Sequence, residues 1–231
     1  LQVWGLFAAI GVVLASWFAL RQAKKRGLDV AKFETLVFQT VIWSFIGARL
    51  GHVLLYEPAR YLADPFEIIA VWHGGFSSFG GFIGATITFF WSARKKTLPI
   101  LPTADVLMLA LPLGLGCGRI GCFLIHDHPG TLSHSFLAVK YPGGPRFDLG
   151  LLLGLFDFIF FAATLRLLRK KRPDGFYFAL FPLVYGPIRF GLDFLRVADA
   201  RYFGLTPAQY GSLALFIFGS YLFKRIVLKN A

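Results

Sequence analysis

Gly114-Leu-Gly-Cys-Gly-Arg-Ile-Gly-Cys-Phe-Leu-Ile-His-Asp-His-Pro-Gly130 is an apolar, glycine-rich run that carries one arginine, Arg119, and then meets His126, Asp127 and His128 before Pro129. A guanidinium at bilayer depth costs at least about 2.5 kcal/mol even on lenient insertion scales, so Arg119 needs a partner, a water-filled cavity or an anionic ligand. Helical spacing puts Arg119, Cys122 and His126 on one face, at i, i+3 and i+7. The small-xxx-small pairs Gly114/Gly118 and Cys117/Gly121 let a second helix come close. Because the residue before a proline avoids the helical region, the stretch predicts a membrane helix with one polar seam, ending near Asp127.

The rest of the chain has the same character. Of its 231 residues 56% are hydrophobic and 17% aromatic, only 16% are charged, and the mean hydropathy is +0.64, which describes an integral membrane protein. The formal charge of +12 sits in short basic clusters between apolar runs, which reads as an orientation signal and not as a nucleic-acid surface. Cys117 and Cys122 diverge by about 140° on one helix, so neither a disulfide framework nor a metal cluster follows from them. The first apolar run is followed, not preceded, by basic residues, the reverse of a secretory signal peptide. Residue 1 is Leu, so the chain is expected to start after its natural beginning.

Apolar runs near the roughly 20-residue crossing length fall at 1–21, 36–56, 79–93, 104–126, 149–168, 176–195 and 207–224. The predicted fold is all-α: a polytopic membrane protein of about seven transmembrane helices forming a single domain over 1–231. Basic residues crowd the loops after the first, third and fifth runs and the C-terminus, from Arg21 to Lys32, Arg94 to Lys96, Arg166 to Arg172 and Lys224 to Lys229. The opposite loops hold only Arg60, Lys140, Arg146, Arg196 and Arg201. The positive-inside rule then puts the N-terminus outside and the C-terminus in the cytoplasm.

Within the second run Arg49, His52 and Tyr56 share a face, where Arg49 either snorkels near a helix end or joins a site. The third run is short, so part of the glycine-rich lead from Trp72 to Gly81 is expected to enter the membrane; the alternative is a flexible outer loop. Phe136 to Tyr141 alternates, and Pro142-Gly-Gly-Pro145 is a turn signal, so a small outer hairpin arm is expected. The fifth run looks featureless. The sixth carries Tyr185, Arg189, Asp193 and Arg196 as one stripe, in which Arg189 and Asp193 can pair, and Asp193 reads as the one carboxylate inside the membrane.

If the second, fourth and sixth runs pack together, Arg49, Arg119, Arg189 and Arg196 leave a positive pocket under the outer leaflet. Arginine's planar fork suits phosphate, and the membrane offers phosphate as lipid head groups, so a phospholipid is the natural ligand. His126, Asp127 and His128 lie near its expected mouth, with groups able to move a proton near neutral pH.

Gly47-Ala-Arg-Leu-Gly51, Ala63-Asp-Pro65, Trp72-x-Gly-Gly75 with Gly80-Gly81, Gly118-Arg-Ile-Gly121, and Tyr185-Gly-x-x-Arg189 with Asp193-Phe-Leu-Arg196-x-x-Asp199 follow one another in this order. On these pieces the chain resembles the bacterial prolipoprotein diacylglyceryl transferases over nearly its whole length. The resemblance implies a multi-pass protein of the cytoplasmic membrane. Its reaction would transfer the diacylglyceryl group of phosphatidylglycerol to a prolipoprotein's lipobox cysteine, release glycerol phosphate and use no cofactor. It marks Arg119 as the phospholipid-binding arginine and Arg196 as the second essential one, with Asp127 at a family acidic position and Gly130 at a family glycine. Arg49, Arg189 and Tyr185 join Arg119 and Gly130 as substrate-binding candidates.

The chain departs from the family where Phe79 replaces a histidine, Cys122 an asparagine, and Phe147, Leu152 and Leu153 a His…Tyr-Glu set. His126, or else His128, is then the expected base. A metal site on His126 and His128 is not expected, because Pro129 breaks helical spacing and few further ligands are at hand. Cys122 as a nucleophile, an anion or lipid transporter lined by the arginines, and a non-catalytic phospholipid-binding protein of the same fold are the competing readings.

Overall fold

The computed structural model describes residues 3–55, 58–197 and 201–228. Tyr56, Asp199 and Lys229 lie outside the described residues. In chain order the helices are α1 (Val3–Lys25), α2 (Val30–Leu55), the short α3 (Pro58–Ala63), α4 (Ser78–Lys95), α5 (Ile100–Leu124), α6 (Leu149–Leu167), α7 (Phe176–Leu192) and α8 (Pro207–Phe223). Five of them, α1, α2, α5, α6 and α7, are long and apolar enough to cross a membrane. Large apolar side chains stand exposed on their surfaces, among them Val13, Trp17, Phe38 and Ile159, as a lipid-facing surface requires.

Three helix ends are cut by the same device. At Gly27, Thr97 and His126 the backbone turns left-handed, with φ of 70°, 54° and 55°. In each case the next residue's N–H reaches back five residues: Leu28 to Ala23, Leu98 to Ala93 and Asp127 to Cys122. Glycine adopts this conformation freely, and His126 does so at some cost. The helix of the opening stretch therefore stops at Leu124 rather than near Asp127, and His126 leaves the face it was predicted to share with Arg119 and Cys122.

The chain forms two compact units, residues 1–22 with 104–231, and residues 23–103. In the first, α1 crosses α5 backbone to backbone: a Cβ on Gly11 would lie 2.6 Å from the Gly114 carbonyl and 3.0 Å from Cys117 Cβ. Gly121 meets Trp4 and Phe7 in the same way, whereas a Cβ on Gly118 would touch nothing, so the predicted small-residue stripe runs through Gly114, Cys117 and Gly121. Helices α7 and α8 cross at Gly186 and Gly219. Phe160, Phe181 and Tyr185 form the buried centre between α6 and α7, with Phe156, Leu111 and Leu115 packed against it.

Gly175, at the start of α7, has no side chain to cap the helix. Asp105, wholly buried on α5, takes that role by accepting from the N–H groups of Gly175 at 2.9 Å and Phe178 at 2.8 Å. α7 gives way after Leu192 to a 3-10 turn, Asp193–Leu195, and Arg196 is extended, so the predicted helical stripe stops short of Arg196.

The expected arm is present and larger than a hairpin. Strands β1 (Pro129–Leu132), β2 (Ala138–Tyr141) and β3 (Gly144–Asp148) form an antiparallel sheet in the order β1-β3-β2, with Pro142 and Gly143 as the two-residue turn between β2 and β3. Asp148 ends β3 and caps α6 through the Leu151 N–H, while its other oxygen accepts from the Tyr141 hydroxyl.

In the second unit α2 and α4 approach so closely that a Cβ on Gly47 would lie 2.5 Å from the Gly80 carbonyl, and one on Gly84 2.4 Å from that of Trp43. The Ser92 hydroxyl adds a 2.8 Å hydrogen bond to Gln39. α4 runs for 18 residues, about 27 Å, from a Ser77 cap. The glycine-rich lead before it is folded as a 3-10 turn, Val71–His73, followed by Gly74 and Gly75 at φ of 80° and 81°.

Candidate active site

The first unit gathers three arginines. Arg119 leaves α5 where Gly154 of α6 makes room, a Cβ there lying 3.1 Å from Arg119 Cβ. The groups acting on its guanidinium are Tyr185 on α7, Cys122 and Asp157 on α6. Tyr185 is held by aromatic packing, stacked on Phe181 at 5.1 Å between ring centroids and tilted against Phe156 at 6.0 Å. One helical turn beyond Tyr185, Arg189 places Nη2 3.5 Å from Asp193 Oδ1, and its Nη1 is buried without a hydrogen-bond partner. Arg196 brings Nη1 to 3.9 Å from the same Oδ1. The second oxygen of the fully buried Asp193 accepts the Thr206 hydroxyl at the start of α8. Asp193 Oδ1 therefore faces two guanidiniums at ion-pair distance with no hydrogen bond of its own.

The charges of Arg119, Arg189 and Arg196 all reach His128. Burial first, and then those three positive charges, push the His128 imidazole down to about 4, against a partial lift from Asp127, whose Oδ2 lies 3.2 Å from His128 Nδ1. His128 is thus neutral at pH 7. His126 is exposed and turns to the arm, its ring 4.8 Å from that of Tyr141 and stacked at 6.0 Å on Phe123. Of the two histidines, His128 lies among the arginines. Cys122, Asp127 and His128 bring one ligand-type atom each within 4.8 Å of one another, but the three guanidinium charges around them oppose a divalent cation and favour an anion. Gly130 pairs by its backbone with Arg196.

Two carboxylates escaped the sequence reading, which counted Asp193 alone inside the spans. Asp105 caps α7, as described above. Asp157 lies in the run judged featureless; it is fully buried, neither of its oxygens has a hydrogen-bond partner, and the charges reaching it are those of Arg119 and Arg189. The available signal was a carboxylate in the middle of an otherwise apolar run, which is seldom retained without a task.

Arg49 belongs to the second unit. It is buried and gives its guanidinium to main-chain carbonyls: Nε to Ile68 at 2.9 Å, Nη1 to Gly75 at 3.0 Å and to Gly74, and Nη2 to Ala70 at 3.3 Å and to Glu67. One cation thus ties Gly74 and Gly75, of the glycine-rich lead from Trp72 to Gly81, to the residues just before that lead. A polar cavity of about 160 Å³ lies beside it, lined by His52, Arg60, Tyr61, His73, Gly74 and Gly75. A hydrogen bond from His73, with Arg60 adding its charge, holds the half-buried Glu67 carboxyl below its usual range. Phe79 sits in the first turn of α4.

The family model for prolipoprotein diacylglyceryl transferase matches residues 1–225. The chain is similar to a phosphatidylglycerol–prolipoprotein diacylglyceryl transferase of Bordetella avium, 34% identical over 228 residues that cover 94% of this chain and 86% of the relative. An enzyme of the same description from Geobacter sulfurreducens is 31% identical over 95% of this chain and 86% of its own. One from Chromohalobacter salexigens is 35% identical over 86% and 76%.

Proposed function

Because the chain belongs to the prolipoprotein diacylglyceryl transferase family, we propose that it moves the diacylglyceryl group of phosphatidylglycerol onto the lipobox cysteine thiol of prolipoproteins. The reaction takes place at the outer face of the bacterial cytoplasmic membrane, with α1, α2, α4, α5, α6, α7 and α8 as seven spans, the N-terminus outside and the C-terminus in the cytoplasm. The convergence of Arg119, Arg189 and Arg196 around His128 carries this reading.

The three guanidiniums hold the lipid phosphate, with the buried, unpartnered Nη1 of Arg189 a donor ready for it. The thiolate attacks the glyceryl CH2 next to the phosphate ester, a C–S bond forms, the C–O bond breaks, and its electron pair stays on the phosphate oxygen. Charge therefore grows on the phosphate, where fixed positive groups stabilise the transition state more than the bound lipid. The thiol proton passes to the neutral His128, which Asp127 orients. At about 4 this imidazole is a weak base for a thiol near 8.5, so the arginine field must carry part of the deprotonation by stabilising the thiolate. His126 is a group of the site's rim, and Tyr185 orients Arg119. Gly130 acts by allowing close backbone approach, and Arg49 by shaping the outer loop of its own unit.

Protein in nanodiscs, given phosphatidylglycerol and a lipobox peptide, is expected to yield peptide heavier by one diacylglyceryl group, and Arg119→Ala to abolish that product. Retained binding of phosphatidylglycerol with no heavier peptide at any pH would leave a non-catalytic phospholipid-binding protein. Phe79 at the family's histidine position is the feature that favours this second outcome.

A further inference from the structure

Tyr202 and Leu205 exchange both main-chain hydrogen bonds, at 2.8 and 3.1 Å, and so close a two-residue turn on Phe203 and Gly204. Both central residues are left-handed, with φ of 49° and 82°. A hairpin turn of this kind ordinarily takes asparagine and then glycine, because most side chains are strained at its first position. Here that position holds a phenylalanine whose ring is fully exposed.

The tip is held from both sides. The Tyr210 hydroxyl donates to the Tyr202 carbonyl at 2.8 Å, and Arg201 Nη1 donates to that of Gly204 at 3.4 Å. Just after the turn, the buried Thr206 caps α8 in a capping box with Gln209 and gives its hydroxyl to Asp193. Just before it, Arg201 Nη2 donates to the main-chain carbonyl of Arg196 at 3.3 Å. Both ends of the hairpin are therefore fastened to residues of the arginine site. A ring that only dips into lipid needs no such ties, since lipid accepts it in any pose. A strained aromatic residue held in one place suits a contact of fixed geometry.

The transfer has a second substrate to hold. A secretory precursor carries an apolar stretch close to the small residues at which it is processed, so the chain that delivers the thiol delivers apolar side chains with it. We propose that Phe203 is a peptide-specificity residue, whose ring receives an apolar side chain of the prolipoprotein beside the reacting cysteine and sets the thiol in register with the arginine site. The proposal rests on the transfer reading given above. Val197 and Tyr202, also exposed, lie between Arg196 and the tip along the chain and extend the apolar surface offered to the peptide.

The test uses the full chain in nanodiscs containing phosphatidylglycerol, with a lipobox peptide as the varied substrate. Glycine accepts the left-handed backbone and removes only the ring. Phe203→Gly is therefore expected to keep the wild-type melting temperature and yet raise KM for the peptide at least about tenfold, with KM for phosphatidylglycerol unchanged and kcat changed less than the peptide KM. Phe203→Tyr is expected to restore the peptide KM. In Phe203→Trp the added emission, taken as the difference from wild type, is expected to move to the blue when peptide is added. An unchanged peptide KM in Phe203→Gly overturns the proposal. So does emission from Phe203→Trp that is already blue, and quenched by brominated lipid, before any peptide is present, which makes the tip a membrane anchor. If wild-type protein yields no lipidated peptide while the peptide still shifts the emission of Phe203→Trp, the transfer reading fails and the docking role stands.

Discussion

The backbones of Gly130 and Arg196 form an antiparallel bridge, so the arm sheet is fastened to the chain at the residue that carries a site guanidinium. A Cβ on Gly130 would lie 2.8 Å from the Phe147 carbonyl, 3.0 Å from Leu149 Cδ1 and 3.1 Å from the Leu195 carbonyl. The glycine is required by this three-sided fit, and Arg146 Nη1 donates to its carbonyl at 3.1 Å.

Gly130→Ala is therefore expected to cost about 1–3 kcal/mol of stability, because backbone must move to admit one methyl group. Its transfer rate should fall further than its melting temperature suggests, since Arg196 is displaced with the bridge. Parallel thermal melts and initial-rate assays check this, and a variant with unchanged rates would break the link between the arm and the site.

Arg189→Lys keeps a charge and removes the fork. Losing a charge-assisted hydrogen bond of about 1.5–3 kcal/mol should lower kcat/KM for phosphatidylglycerol roughly 10- to 100-fold. A lysine variant with wild-type kinetics would mean that Arg189 only balances Asp193.

The two histidines should part company. His128→Gln is expected to lose most transfer activity, and His126→Ala to keep most of it. The imidazole of His128 is held below its unfolded range, so the neutral form stabilises the fold fully above about pH 6.5. That contribution is lost as pH falls from about 6.5 towards 4, where the unfolded chain takes up a proton that the folded one refuses. Melting temperature in detergent should therefore drop more steeply over this window in wild type than in His128→Gln; equal slopes would place the titration elsewhere.

Arg49→Ala leaves buried carbonyls without a donor and should cost more than about 3 kcal/mol, while Arg49→Lys recovers only part because one ammonium cannot reach all of them. Proteolysis between residues 58 and 77 is the readout. A stable, protease-resistant alanine variant would contradict the role given to this arginine.

The long helices were legible because each is a run of apolar residues, and the arm because alternation was followed by a proline-glycine turn. Legible too were the arginines of the site, since charge inside such runs stands out. The helix end at Leu124 was not, because the left-handed position falls on His126, a residue that carries no signal for it, whereas the same motif at Gly27 does. The surroundings of Arg49 were hidden for a different reason: its acceptors are main-chain carbonyls, which every residue has. Asp157 is visible in the sequence as a carboxylate in an apolar run, and helical spacing misplaces Arg196 because the helix changes to a 3-10 turn before it.

Asp105 ties α5 to the first residues of α7, and its position has a consequence for depth. Arg119 follows Asp105 by the same number of residues as Arg189 follows Gly175. At 1.5 Å per residue, both arginines stand about 21 Å from the tie, measured along helices that leave it in the same direction. A carboxylate at one end of the pair thus works as a levelling pin for two cations at the other.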